Sequence, residues 1–266
     1  MLHITEFNLE FNADRAGRPF FASFPFMYGG VPLGEIKCGI SSRFAGDMVY
    51  AEGNPARCGL FAQTGLEPAR VYGLNQIHSR EVLAVDRHNP PHMPADGMVS
   101  NDRDIALSVT VADCLPVYLL DPDSGAFGLL HSGWKGTGIV LRALALMAER
   151  WSTRPEAVAA VLGPCIGPCC YTVDNARAAA FDREFGSLPL PARFASGNIA
   201  RFTVTRQAGA QWYIDLKAAN IRLLAGAGIQ NIAVCANCTF CDERLGSYRR
   251  EGLQCYTRMA AVVFAG

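Results

Sequence analysis

The stretch that most constrains this 266-residue chain runs from Thr110 to Thr137 and reads TVADCLPVYLLDPDSGAFGLLHSGWKGT. Two short apolar runs, Leu115 to Leu120 and Ala126 to Leu130, are joined by the turn-rich DPDSG, which is the pattern of a β-hairpin. An antiparallel pair closed by a short turn sets the start of its first strand beside the end of its second. Cys114 precedes the first run and His131 follows the second, so the pattern predicts that the two are neighbours in space. His78, in NQIHSREV, is a third candidate. A His/Cys/His set suits zinc, which takes thiolate and imidazole ligands and keeps a fourth position open in catalytic sites.

Half of the chain is apolar, enough for a substantial core, and length alone leaves one large domain or two small ones. Basic and acidic side chains cancel at 24 each, which argues against a nucleic-acid or anionic-membrane partner that needs a strong basic field. The first residues lack the basic start and apolar run of a secretory signal, and no apolar run of roughly 18 residues is present to span a bilayer. The expectation is a cytoplasmic protein whose ten cysteines are reduced, with no structural disulfides.

The first quarter alternates as short strands in HITEFNLEF, PFFASFPFMY and EIKCGISSRF, followed by a helix over 54–65 and strands at VYGLNQIH and EVLAVD. His78 falls at a strand end or in the turn between strands. GMVS and IALSVTVADC read as strands, and GIVLRALALMAERWS has apolar residues at helical spacing. AVAAVLGP is a buried strand that ends in the loop PCIGPCCYTV, and NARAAAFDREFG is a helix. Residues 187–201 form a polar excursion before a strand at FTVTR. IDLKAANIRLLAGAG is helical, NIAVCANC is a strand, and MAAVVFAG closes the chain as a buried strand. Strands and helices interleave without long linkers, so one α/β domain over residues 1–266 is expected.

A lone cysteine in an apolar segment is usually just buried, and a lone histidine usually makes only a hydrogen bond. The trio shifts that balance because Cys114 and His131 share one hairpin end. His131 also leads through a glycine-bearing turn into a helix start, where exposed amides and Lys135 make an anion site. Asp113 adjoins the thiolate, either orienting a ligand or acting on a proton, or simply capping a turn. A metal-free arrangement is open as well, with Cys114 as nucleophile and His131 as its base. His3, His88 and His92 read as surface residues.

In order along the chain, NQIHSREV, ADGMVS, TVADCLPVYLLDPDSGAFGLLHSGWKGT, VLGPCIGPCCYTV and NCTFCDERLGSYRREG resemble the YfiH or laccase-domain family, long labelled polyphenol oxidase and later assigned as zinc-dependent purine nucleoside phosphorylases. The similarity runs from about Gly73 onward. It implies His78, Cys114 and His131 as zinc ligands and catalytic centre, in a single three-layer α/β/α domain around a mixed β-sheet. The implied activity is phosphorolysis of adenosine, inosine, guanosine or methylthioadenosine, with adenosine deamination at the same site. Purine nucleoside and phosphate are the expected partners and a monomer the expected state. Lys135 and nearby amides are expected to bind phosphate, with Asp113 beside the substrate. Family members carry a Thr-Arg and a Gly-Gly turn near the start. Here Ser41, Ser42 and Arg43 precede Phe44 and Ala45, so Arg43 is the counterpart of that substrate arginine.

Cys235, Cys238 and Cys241 repeat at CxxCxxC spacing with Cys255 downstream, the strongest generic metal signal in the chain. The favoured reading is a buried strand cysteine at 235, a loop opening at 238 and an incidental thiol at 241. Cys165, Cys169 and Cys170, in a Gly/Pro loop, are candidates to approach them. Arg249 and Arg250, on a polar loop at SYRREG, are placed to contact an anionic substrate, but solvation is the commoner outcome and the favoured reading. A copper oxidase needs more than the five histidines present. The remaining rivals are amide hydrolysis that edits peptidoglycan precursors and a non-catalytic zinc protein working through partner contacts.

Overall fold

The hairpin forms at the expected place: Leu115–Leu120 pairs antiparallel with Phe127–Ser132, with His131 opposite Pro116 and Ser132 opposite Leu115. The turn between them closes on Asp121, whose carboxylate accepts from the Asp123 and Ser124 amides and from Ser124 Oγ. The computed structural model describes residues 2–188, 203–206 and 211–266. Among these residues the hairpin lies inside a seven-stranded mixed sheet. Its order is His3–Phe7, Asn231–Cys235, Ala159–Leu162, Leu115–Leu120, Phe127–Ser132, Gly97–Ser100 and Val82–Ala84.

The class is α/β with mixed strand directions, as expected, but the strands divide between two large sheets. A six-stranded sheet runs in the order Asn12–Ala13, Pro19–Tyr28, Val31–Ser41, Met259–Ala265, Ala106–Val111 and Val71–Tyr72. The two sheets share one core, and the period-2 alternation of side chains along a strand sets which residues enter it. Tyr118 and Leu120 face Phe24, Ile40, Val109 and Ala261 in a core between the sheets. Their neighbours Val117 and Leu119 face the opposite way, into the helices. Both faces of the hairpin are therefore buried, which is why its strands read as continuous apolar runs.

Tyr118 links the two sheets. Its ring meets Phe24 edge-on with centroids 5.4 Å apart, and its hydroxyl donates to the Gly39 carbonyl at 2.9 Å. Tyr118→Phe is expected to lower stability by about 1 kcal/mol, the usual net worth of one buried hydrogen bond, while leaving ligand binding intact. Denaturant unfolding of the two proteins checks this.

Helix α1 (Pro55–Gln63) has Pro55 in its first turn, and the Asn54 side chain accepts from the Ala56 and Arg57 amides, the usual start of a helix. Leu60 and Phe61 of α1 cover the outer face of the six-stranded sheet at Ala260, Val262 and Phe264. Helices α2 (Ile139–Trp151), α3 (Asn175–Phe185) and α4 (Leu216–Gly226) contribute to the core on the far face of the seven-stranded sheet. The layers thus run helix, sheet, sheet, helix. A one-turn helix, α5 (Tyr248–Glu251), replaces the loop expected at SYRREG.

The strands expected at VYGLNQIH and EVLAVD shrink to Val71–Tyr72 and Val82–Ala84, and the intervening backbone forms a loop that carries His78. Trp212–Ile214, just ahead of α4, is a strand that the helical pattern hid; it joins Thr172–Val173 and Val204–Arg206 in a three-stranded sheet. The polar excursion over 187–201 lies almost wholly outside the described residues. Among the described residues no helix is long and apolar enough to cross a membrane.

Candidate metal centre and substrate cleft

The hairpin end brings Cys114 and His131 together, and the 78 loop adds the third side chain. One ligand atom from each of His78, Cys114 and His131 lies within 4.8 Å of the other two. The two imidazole rings meet edge-on, with centroids 4.8 Å apart. His131 is buried, Cys114 is half-buried and His78 is exposed, so the cluster is open on the His78 side.

Asp96 organises this group, and nothing in its spacing reveals it. The carboxylate is fully buried; it accepts from the Ile77, His78 and Ser79 amides at 3.2, 3.0 and 2.6 Å and from Ser79 Oγ at 2.7 Å. It also lies 2.8 Å from His131 Nδ1, and the Asp96 carbonyl accepts from the His131 amide at 2.7 Å. A carboxylate on Nδ1 holds the proton there and leaves Nε2 as the free donor toward a metal. The same contacts hold the loop that gives His78 its left-handed φ of 58°. Burial raises the Asp96 carboxyl pKa, but the hydrogen bonds from His131 and Ser79 outweigh it and bring the group to about 2.

The thiol and imidazole shift each other in the metal-free protein. Burial pushes the Cys114 thiol up, yet His131 and His78 outweigh it and lower it to about 6. Burial pushes His131 down, while Cys114 and Asp96 together raise it to about 9. Cys114 is therefore a thiolate near neutral pH, the form that ligates a metal.

The turn after His131 passes directly over the sulfur. A Cβ built on Gly133 would sit 2.8 Å from Cys114 Sγ and 3.6 Å from His78 Cδ2. Gly133→Ala is expected to leave the fold intact and weaken zinc binding roughly tenfold, the lower end of what displacing a ligand's support does. Competition titration with a chromogenic chelator reads it out.

Asp113 has φ 87°, and its carboxylate is held by two other loops. Oδ1 accepts from Thr239 Oγ1 at 2.6 Å, and Oδ2 accepts from the Arg249 amide at 2.7 Å. Asp113 lines the cleft while tying the 239 and 249 loops to the hairpin. Lys135 is exposed and outside the cleft lining, its ammonium 5.6 Å from the Trp134 ring centroid. Arg43 is likewise outside the lining; it pairs with Glu251 at 3.3 Å and lies over Phe44.

The cleft beside the trio has a volume of about 500 Å³, and its cations are arginines that sequence reasoning did not place there. Arg177 of α3 stacks over Trp134 at 4.7 Å. Arg249, expected in solvent, donates through Nη1 to Thr172 Oγ1 and the Thr172 carbonyl and lies over the Tyr171 ring. Arg258 pairs with Asp47 and receives no role from its sequence context. Arg250 is outside the cleft lining and instead donates to the Thr239, Phe240, Asp242 and Leu245 carbonyls. Tyr171, Tyr248 and Tyr256 add aromatic surface. The signal that could have found Arg249 is its place beside Tyr248 in a motif already singled out. For Arg177, facing Trp134 across a helix start, no local signal exists.

The donor set fits zinc: two imidazoles, one thiolate and an open side. It does not fit a multi-copper centre, because His3, His88 and His92 are exposed and lie outside the cleft lining.

The family described as multi-copper polyphenol oxidoreductase laccase matches residues 50–265. A purine nucleoside phosphorylase YlmD from Geobacillus stearothermophilus is 37% identical over an aligned length of 198 residues, with 66% of this chain and 65% of that one covered. The match thus spans just under two thirds of that relative. A purine nucleoside phosphorylase from Xylella fastidiosa strain 9a5c is 34% identical over 230 residues, covering 83% of this chain and 82% of the relative. The crystal structure of YlmD from Geobacillus stearothermophilus superposes with a TM-score of 0.75 at 25% identity, covering 91% of this chain and 96% of that one. With the fold and the matched residues in agreement, this chain belongs to the YfiH, or laccase-domain, family.

Proposed function

We propose that the protein is a zinc-dependent purine nucleoside phosphorylase acting on adenosine, inosine, guanosine or methylthioadenosine, with adenosine deaminase activity at the same site. The observation that carries the reading is the convergence of His78, Cys114 and His131 on one side of a cleft that also presents arginines and aromatic rings. The names of the relatives support the phosphorolytic part. A zinc ion on these three residues supplies Lewis-acid chemistry at its open position.

The chain's own groups do the rest. Asp96 fixes the His131 tautomer, so that the Nε2 lone pair stays available. Arg177 and Arg249 offer planar, permanently charged donors for phosphate. This moves the phosphate role from Lys135 to residues that line the cleft. Trp134, Tyr171 and Tyr248 give the purine flat faces to pack on. In phosphorolysis a phosphate oxygen bonds to C1′ of the ribose, the C1′–N9 bond breaks, and the purine leaves with a proton.

The test is purified zinc-loaded protein with inosine and phosphate. Ribose 1-phosphate and hypoxanthine in equal amounts are expected, and adenosine is expected to yield inosine when phosphate is omitted. No product from either nucleoside, with cleavage of a seryl muropeptide precursor, would replace the reading with amide hydrolysis.

A further inference from the structure

A second cluster of soft ligands lies in two loops that the nucleoside chemistry does not use. The sulfurs of Cys169, Cys170, Cys238 and Cys241 all lie within 4.8 Å of one another. Cys241 Sγ is 3.4 Å from Cys170 Sγ and 3.8 Å from Cys169 Sγ. Four sulfurs at zinc–thiolate bond length from one tetrahedral ion stand about 3.8 Å apart. The cluster therefore needs only small side-chain adjustments to close on a cation. Cys241 is not incidental, and the fourth thiol is not Cys235, which is buried in its strand.

The backbone around the sulfurs is arranged for thiolates. The Gly167 amide donates to Cys238 Sγ at 3.2 Å. A Cβ at Gly167 would come within 3.2 Å of Cys169 Sγ and 3.6 Å of Cys238 Sγ, so the bare glycine leaves room for the group. Cys238 and Cys241, with two residues between them, sit in a turn closed by the Asp242 amide on the Cys238 carbonyl. A parallel bridge between Cys165 and Cys238 docks this turn on the 165–170 loop. Cys169 and Cys241 are exposed, so hydrophobic burial does not account for the cluster.

We propose that Cys169, Cys170, Cys238 and Cys241 form a second metal centre, a closed tetrathiolate site for zinc or a similarly thiophilic divalent cation, separate from the His78, Cys114 and His131 group. A site with four protein sulfurs has no open position, so its role is structural. It adjoins two parts of the cleft lining. Thr239, inside the Cys238–Cys241 turn, holds Asp113 beside Cys114, and Tyr171, next to Cys170, lines the cleft. The proposal does not depend on the activity assigned to that cleft.

Metal analysis of protein purified under reducing, chelator-free conditions tests it. Two zinc ions per wild-type chain are expected, one in Cys114→Ala, and one in the double variant Cys170→Ser, Cys241→Ser. If the double variant fails to fold, the Cys114→Ala protein reconstituted with Co2+ gives the reading. It is expected to show the intense sulfur-to-cobalt charge-transfer absorption of a tetrahedral tetrathiolate. A wild-type count of one that is lost on Cys170→Ser, Cys241→Ser but kept in Cys114→Ala would uphold this centre and remove the other. A count of one that vanishes in Cys114→Ala, with no charge-transfer band on cobalt addition, overturns the proposal.

Discussion

Cys114→Ala is expected to empty the His/Cys/His centre and to lower phosphorolysis more than 100-fold. Loss of a group that merely supports a metal ligand costs roughly 10–100-fold in affinity or activity, and Cys114 is a direct donor, so its removal exceeds that range. The rival arrangement, Cys114 as nucleophile with His131 as base, predicts the same loss from this substitution. Chelation separates the two. If the trio holds zinc, dialysis of the wild-type protein against a strong chelator abolishes the reaction and stoichiometric zinc restores it. A Cys–His nucleophile pair is indifferent to both treatments.

Asp96→Ala is the second large effect, because one buried carboxylate serves both the fold and the centre. Its removal strips acceptors from three backbone amides, the Ser79 hydroxyl and His131 Nδ1 at once. Breaking one side of a buried, hydrogen-bonded charge pair costs about 3–5 kcal/mol, and the orphaned amides of the 78 loop belong to the same loss. Thermal unfolding is expected to shift down by many degrees, and zinc affinity is expected to fall with it. Asp96→Asn preserves the shape and separates the two roles. Its amide oxygen accepts one set of donors, while its amide nitrogen faces the others. Most of the stability is then retained, but the His131 tautomer is no longer enforced and zinc binding drops by roughly 10–100-fold. Calorimetry on both variants, with zinc titration, reads out the difference.

What could be read from the sequence follows physical locality. The hairpin was legible because two apolar runs and a turn lie within 28 residues of each other, and a hairpin fixes which ends meet. The long helix α2 was legible from its spacing. The division of strands into two sheets was not, because every strand buried on both faces has the same apolar pattern whichever sheet it joins. Asp96 was visible in ADGMVS but silent: most of its partners are backbone amides of the 77–79 loop, and such contacts leave no residue-type signature. Arg177 was hidden likewise, on a helix far from Trp134 in sequence. The approach of Cys169 and Cys170 to Cys238 and Cys241 was legible as a candidate from their loop, whereas the exclusion of Cys165 and Cys235 from that cluster was not. The anion site assigned to Lys135 followed from chain proximity to the helix start. In the structure that lysine is turned onto Trp134, outside the cleft lining.

The proposed chemistry requires one cation shared by His78, Cys114 and His131 and facing the cleft. Anomalous scattering at the zinc edge, from a crystal with a purine nucleoside bound, addresses it directly. The expected result is a peak among the three side chains, about 2.0–2.1 Å from each imidazole nitrogen and about 2.3 Å from the sulfur, with the nucleoside between it and the arginines. A map without that peak, or a nucleoside bound away from this cleft, would contradict it.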